Sequence, residues 1–422
     1  MKHIFTKAWF KLVILGWISL FSLPIQSEEE KVSQDELSEI LLVSQGANAF
    51  AIDMYNQLPS SDNLCFSPYS IFSSFAMAYS GANENTHKEI STAFHYPSSV
   101  EKLGKGLAEL NHFFTFYPSS ASEEIRVRVA NSLWIQTNFP LLSSYKEEMK
   151  KYFNGTFRIV DFKGQTETAR ATINAWVKHH TFGKIVDILH PQAIDSSTRM
   201  VLISALYLKA KWKSPFDPHL TTQQPFFPED GIVQTALSMT QTAHFPYLDT
   251  PEAAIVELPY ILSRKEGPEF SMMIILPHQK EALREVEKGL TARKLEEWRK
   301  NLKNTKVLVT IPKFKVLQFS NLKEILEKMG MHTPFSDQAN FSKITEFKGL
   351  KIGNVLHKVY LSMDENGSEA AAATSISMNV TSILEPKAPV IFQVDHPFIY
   401  MIYEKKTGAI LFMGRVTDPN KS

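Results

Sequence analysis

The segment Val201-Leu202-Ile203-Ser204-Ala205-Leu206-Tyr207-Leu208 is apolar along both of its alternating faces. Successive strand residues point to opposite sides, so such a strand needs apolar cover above and below and belongs in the middle of a sheet. Any fold for this chain must therefore bury one sheet between two layers. Phe270 to Leu276 has the same character, and Lys306-Val307-Leu308-Val309-Thr310-Ile311 reads as another strand, closed by Pro312. Phe398 to Tyr403 and Ala409 to Met413 flank Glu404-Lys405-Lys406-Thr407-Gly408, which predicts a hairpin. Helical spacing comes earlier in the chain. Leu37, Ile40, Leu41, Ala47, Phe50, Met54 and Leu58 recur at three- and four-residue steps, and a second helix runs from Ser70 to Tyr79 before Gly81 stops it. Helices first and strands later, without regular alternation, predict a mixed α+β fold with large antiparallel sheets. No internal repeat or Pro/Ser-rich linker interrupts residues 28–422, which read as one domain.

The N-terminus stands apart. Lys2, Lys7 and Lys11 lead into the apolar run Leu12 to Phe21, the pattern of a secretory signal peptide over residues 1–27. The run is short of the roughly 20 apolar residues that a membrane span needs. No clear small-x-small cleavage site precedes Glu28, so an uncleaved anchor is the competing reading. The expectation is export to the extracellular space (or a periplasm), with no membrane contact after signal removal.

Charge and cysteine content remove whole classes of function. Lys plus Arg number 45 against 44 Asp plus Glu, a formal net charge of +1, and lysines such as Lys209, Lys211 and Lys213 form no basic stripe. That argues against nucleic acid as a partner. Cys65 is the only cysteine, which rules out an internal disulfide and a CxxC metal site; between Leu64 and Phe66 it reads as a small buried hydrophobe.

Catalytic and cofactor motifs are missing too. There is no GxSxG, GxxxxGK[ST] or HExxH. His179 and His180 would project about 100° apart on a helix and cannot share an ion. Asp364 and Glu365 face opposite ways on an extended chain and read as solvated. Asp395-His396, followed by Pro397, reads as a structural turn rather than part of a hydrolase triad. No metal, no cofactor and no enzymatic activity are expected.

The anomalous stretch is Glu365 to Pro389, a charge-poor region of a length unusual for a loop. Alanine favours helix. Yet from Ser368 the residues also sort at period two. Ser368, Ala370, Ala372, Thr374, Ile376 and Met378 would share one face, and Glu369, Ala371, Ala373, Ser375, Ser377 and Asn379 the other. The first face begins small and becomes larger and apolar, as a strand sliding into an existing sheet requires. Local sequence leaves the short helix and the latent strand equally open.

From Ser33 to Pro419 the chain resembles the serpin family. Glu365-Asn366-Gly367-Ser368-Glu369-Ala370-Ala371-Ala372-Ala373-Thr374 is similar to the hinge of inhibitory members. Asp395-His396-Pro397-Phe398 and Ile410-Leu411-Phe412-Met413-Gly414-Arg415-Val416 resemble the family's C-terminal signature. Further matching stretches are Ser67-Pro68-Tyr69-Ser70, Asn131-Ser132-Leu133-Trp134, Ile173-Asn174-Ala175-Trp176-Val177, Thr181-Phe182-Gly183-Lys184-Ile185, Glu257-Leu258-Pro259-Tyr260, Ile311-Pro312-Lys313-Phe314 and His357-Lys358. Each is weak alone; their order along the whole chain is specific.

The resemblance implies three β-sheets with a large central sheet A, eight to nine helices and an exposed reactive-centre loop over residues 365–389. It implies a suicide-substrate inhibitor of a serine protease. The protease attacks the loop and forms an acyl-enzyme, and the cut loop then enters the main sheet as an extra strand, carrying the protease with it. About a dozen new backbone hydrogen bonds at roughly 0.5–1.5 kcal/mol each would favour that step. The same pattern places the scissile bond between Thr381 and Ser382, with Ile383 and Leu384 as alternatives. No Arg or Lys lies between Glu365 and Lys387, so an elastase- or chymotrypsin-like target fits better than a trypsin-like one.

Two positions depart from the family pattern. Ser204 stands where relatives carry Asn, in a sheet-opening cluster whose other members match Ser67, Ser70 and His357; a shorter hydroxyl reaches less far, so a looser or water-bridged gate is expected. Lys209-Ala210 replaces the family's Lys-Gly. Five N-x-[ST] sequons begin at Asn154, Asn340, Asn366, Asn379 and Asn420, two of them in hinge and bait, and read as chance matches. Lys102, Lys105, Arg126 and Arg128 are too dispersed for a heparin-type polyanion site, and a monomer is expected. The rival reading is a non-inhibitory serpin acting as carrier, chaperone or storage protein.

Overall fold

The computed structural model describes residues 34–59, 61–115, 125–153, 157–229, 231–262, 267–368 and 388–421. The signal segment 1–27, the distal hinge (Glu369, Ala370, Ala371, Ala372, Ala373, Thr374) and the bait positions Thr381, Ser382, Ile383 and Leu384 lie outside the described residues. From Asp35 onward the chain packs as one unit.

The elements follow in chain order. They begin with α1 (Gln34–Gln57), β1 (Leu64–Phe66), α2 (Pro68–Gly81), α3 (Glu84–Phe94), α4 (Val100–Thr115), β2 (Ile125–Val129), β3 (Ser132–Gln136) and α5 (Ser143–Phe153). Next come β4 (Phe157–Val160), α6 (Thr166–His180), β5 (Met200–Lys211), β6 (Thr222–Phe226), β7 (Gln234–Asp249), β8 (Ala253–Pro259) and β9 (Phe270–Pro277). The rest are α7 (Leu283–Lys288), α8 (Ala292–Asn301), β10 (Lys303–Pro312), β11 (Phe314–Asn321), α9 (Lys323–Lys328), β12 (Asn354–Asp364), β13 (Gly367–Ser368), β14 (Val390–Gln393), β15 (Phe398–Glu404) and β16 (Ile410–Val416).

One sheet is centred on the two long strands β5 and β12, in the order β11-β12-β13-β5-β3-β4, with β2 also on β5. This is the large sheet A of the expected fold. The other strands form a continuous ladder, β1-β16-β15-β9-β8-β7-β10-β14, with β6 on β7. The family pattern divides these strands over two smaller sheets. Here β7 joins them, pairing with β10 along most of its length and with β8 only at Tyr247, Leu248 and Asp249.

The double-faced apolar character of residues 201–208 is explained by what covers them. Val201, Ile203 and Ala205 join a core with Trp134, Ile173, Val177 and Ile185 beneath α6, while Leu202, Leu206 and Leu208 face the main core that contains α2. The second helix begins two residues before the expected start. Pro68 occupies its first turn, where a missing N–H costs nothing, and Ser67 caps it by accepting from Ser70 N at 3.2 Å. The C-terminal hairpin forms as β15 and β16. Cys65 is buried, and burial pushes its thiol up to about 12. Among the described residues no helix is long and apolar enough to cross a membrane, and no group of acidic, His or Cys side chains could hold a metal.

Candidate functional site: a seam in the central sheet

β5 and β12 run parallel and pair directly from Val201↔Asn354 to Leu206↔Val359. Beyond those residues they part, and β13 fills the wedge, antiparallel to both. Gly367 lies opposite Asp364 and Lys211; Ser368 lies opposite Met363 and Ala210. The top of the seam is thus already open by one strand's width.

Gly367 is required there. Its φ is +145°, and a Cβ would come within 2.0 Å of the Ala210 carbonyl oxygen. Ser368 is fully buried, with its hydroxyl 2.6 Å from the Tyr260 hydroxyl. Tyr260 stacks on Trp212, and Trp212 donates its indole N–H to the Asp364 carbonyl at 2.9 Å and its backbone N–H to Asn366 O at 2.8 Å.

Glu365 corrects the expectation of a solvated acidic pair. It is only 7% exposed and accepts from Lys313 Nζ at 2.8 and 3.1 Å and from Thr221 Oγ1 at 2.8 Å. Burial alone would raise its pKa, but these donors hold the carboxyl below its usual range. For Asp364 burial wins and the pKa rises, even though Asn366 N donates to its carboxylate at 2.8 Å. The reason for the difference is that β12 ends at Asp364, and the turn that follows brings Glu365 against Lys313 at the β10–β11 junction.

Lower in the seam the structure brings Ser67, Ser70, Ser204 and His357 together. All four are buried. The Ser67 backbone N–H reaches His357 Nε2 at 3.0 Å, so that nitrogen must be the acceptor and Nδ1 carries the hydrogen. Nδ1 lies 3.1 Å from Ser204 Oγ; Ser204 Oγ donates to Ser70 Oγ at 2.8 Å, and Ser70 Oγ to Asn131 Oδ1 at 2.6 Å. The chain is continuous from one side of the seam to the other. The shorter Ser204 side chain reaches both Ser70 Oγ and His357 Nδ1 directly.

Sequence reasoning assigned no role to Asn131, Tyr260 or Lys313, although each sat inside a matching stretch; Trp212 carried no such signal. The two histidines near the end of α6 do not converge on an ion: His180 stacks on Trp176 and bonds its carbonyl. His396 is tied on both ring nitrogens, to Asp395 and to Pro277 O, as a structural turn requires.

A two-layered α+β unit whose central sheet is wedged at one end by its own hinge defines a class of strand-accepting proteins. The chain belongs to the serpin family: the family description "Serpin (serine protease inhibitor)" matches residues 45–419. It is similar to an uncharacterized serpin-like protein of Thermococcus kodakarensis, 36% identical over 378 residues, which cover 89% of this chain and 86% of that one. Human Serpin B3 is 31% identical, over 89% of this chain and 99% of its own. The native-state structure of the thermophilic serpin Tengpin superposes with a TM-score of 0.79 at 28% identity, covering 89% of this chain and 94% of the other. Serpins are generally protease inhibitors, not enzymes, and form covalent complexes with the proteases they trap; some members do not inhibit.

Burial lowers His357 to about 3, although the Ser204 carbonyl works the other way. The unfolded chain takes up a proton here below about pH 6.5, which the folded chain refuses. The contribution is thus intact above that pH and lost as pH falls toward 3. Urea unfolding at about pH 7.5 and about pH 5.5 should show a loss of stability that is smaller in His357→Gln. Equal losses in the two proteins would remove His357 from the pH dependence.

Proposed function

We propose that the chain is an exported inhibitory serpin that is consumed one molecule per protease, its cut loop entering the seam between β5 and β12. The carrying observation is the register of β13. Opposed pairs in an antiparallel ladder advance one residue at a time, so the pairs Ser368↔Ala210 and Ser368↔Met363 dictate what each later residue would meet. Ala370 would arrive between Leu208 and Leu361, and Ala372 between Leu206 and Val359, side chains that already fill the core. Small residues are what that space admits. Ile376 would reach Leu202 and Val355. Thr374 would arrive between Ser204 and His357, where its hydroxyl can take over the hydrogen bond that insertion must break.

This correspondence supports the latent-strand alternative for the hinge over the alanine helix. It also supports inhibitor over carrier or storage protein, because bulky, charged or proline residues at Ala370 or Ala372 would obstruct entry and this chain has none. The proposed scissile bond is Thr381–Ser382, with Ile383 and Leu384 as the alternatives, and the absence of a cation there favours elastase- or chymotrypsin-like targets. Export rests on the basic and apolar pattern of residues 1–27.

The test is to incubate the protein with elastase, chymotrypsin, trypsin and subtilisin, look for a detergent-stable complex, and weigh the released C-terminal peptide to locate the cut. Ala370→Pro and Ser368→Arg should each convert inhibitor into substrate, with cleavage retained and the complex lost. A complex that survives both changes would refute insertion as the trap. Nicking the loop should also raise the Tm sharply.

Thr374→Val separates the register from insertion in general. Its cleaved form should lose about 1–3 kcal/mol against the cleaved parent in guanidinium unfolding, because buried partners at Ser204 and His357 stay unsatisfied. Unchanged midpoints would mean the ladder slips out of this register.

A further inference from the structure

Arg126, Arg128, Lys209 and Lys211 meet on the outward face of the central sheet. β2 and β5 pair antiparallel, with Arg126 directly opposite Lys209 and Arg128 opposite Tyr207. Opposed residues share a face, and every second residue along a strand returns to it, so the four cations project to one side. Ile125, Val127, Leu208 and Ala210, which alternate with them, point the other way into the main core. Lower on β5, Ile203 and Ala205 are covered by α6; the cations lie beyond that cover and stay partly exposed. Neither segment forms a basic stripe by itself. Strand pairing assembles one.

Two observations mark this face as a docking surface. Like charges directly opposite each other destabilise a sheet, yet Arg126 faces Lys209, and Arg128, Lys209 and Lys211 have no carboxylate partner among the described residues. The second observation is Phe182, which follows α6 with a left-handed backbone (φ +52°) that bulky residues rarely adopt. Its ring is 49% exposed, lies 5.9 and 5.5 Å from the Arg126 and Arg128 guanidiniums, and meets Tyr207 edge-on. A cation–π contact of this kind positions a guanidinium without neutralising it.

We propose that this face docks an acidic protein segment in extended conformation, with a carboxylate at every second residue. The sign follows from charge complementarity. The spacing follows from the strand repeat, because same-side residues of an extended chain recur at about 6.6–6.8 Å. Arg126 with Arg128, and Lys209 with Lys211, carry that same repeat in two adjacent columns. A row of carboxylates on the partner thus meets a cation at each step, and each guanidinium can hold a carboxylate through two parallel hydrogen bonds. Phe182 closes the lower end with an apolar ledge. The surface belongs to the uncut protein, so the claim does not depend on insertion.

The test is fluorescence anisotropy of a short labelled peptide of alternating Glu and Thr, titrated with the whole protein at low salt. Binding should saturate, and should weaken several-fold when salt rises from about 0.05 to about 0.2 M. A peptide of the same composition with its Glu and Thr in two blocks should bind more weakly; this comparison uses the parent protein and needs no variant. The double substitution Arg128→Gln with Lys209→Gln should cost about three- to twentyfold in affinity, and Phe182→Asn about twofold or more. Lys300→Gln, which removes an exposed charge from α8, should change nothing. No saturable binding, equal affinity for the two peptides, or equal losses in Lys300→Gln and the double variant overturns the proposal. Heparin that binds more tightly than the alternating peptide and is released by the same double substitution overturns the peptide as occupant in favour of a sulfated polysaccharide.

Discussion

The hydrogen-bond chain that runs through Ser67, His357, Ser204, Ser70 and Asn131 is the constraint on which the central sheet depends. β5 and β12 are parallel neighbours, and parallel ladders pair somewhat less well than antiparallel ones. Apolar packing alone would hold them in a way that is costly to undo at every step. A polar link behaves differently, because its groups can be passed to a new partner without being left unsatisfied. A burial that leaves His357 neutral keeps the link free of a charge that would have to be stabilised in both arrangements. The buried His357 is thus suited to a joint that is closed but separable.

The upper end of the seam follows a different logic. Glu365 is anchored by Lys313 and Thr221, and the Asp364 and Asn366 carbonyls by Trp212. These contacts fix where the hinge leaves β12, and Gly367 allows the chain to turn back against Ala210 without a clash. Ser368 then enters with a side chain small enough to reach Tyr260. Ser368 is thereby set in register with Met363 on β12 and Ala210 on β5. In this sense two residues, Gly367 and Ser368, lead the chain from the end of β12 into a core whose side chains are already in place.

Much of this was legible in the residues. The doubly apolar strand at Val201 to Leu208 follows from side-chain alternation, which any strand obeys. Pro312 ends its strand as expected, whereas α2 runs through Gly81 and is capped at Ala82. The members of the gate were legible through resemblance only, because Ser67, Ser70, Ser204 and His357 come from three separate stretches and nothing local marks a serine as one half of a cross-sheet bond. Glu365 was misread for the same reason: its neighbour in sequence is another carboxylate, while its partner in space, Lys313, is distant along the chain.

What the amino-acid order determined alone is therefore the kind of each segment: which strands need cover on both faces, and roughly where helices start and stop. Those properties depend on dihedral preference and alternation within a few residues. The tertiary structure alone decided that β5 and β12 would meet at a polar pair, that their ends would part around Ser368, and that Arg126 would come to lie opposite Lys209. Each of those outcomes depends on which distant surfaces are pressed together, and burial and pairing are properties of the assembled core, not of any one stretch of chain.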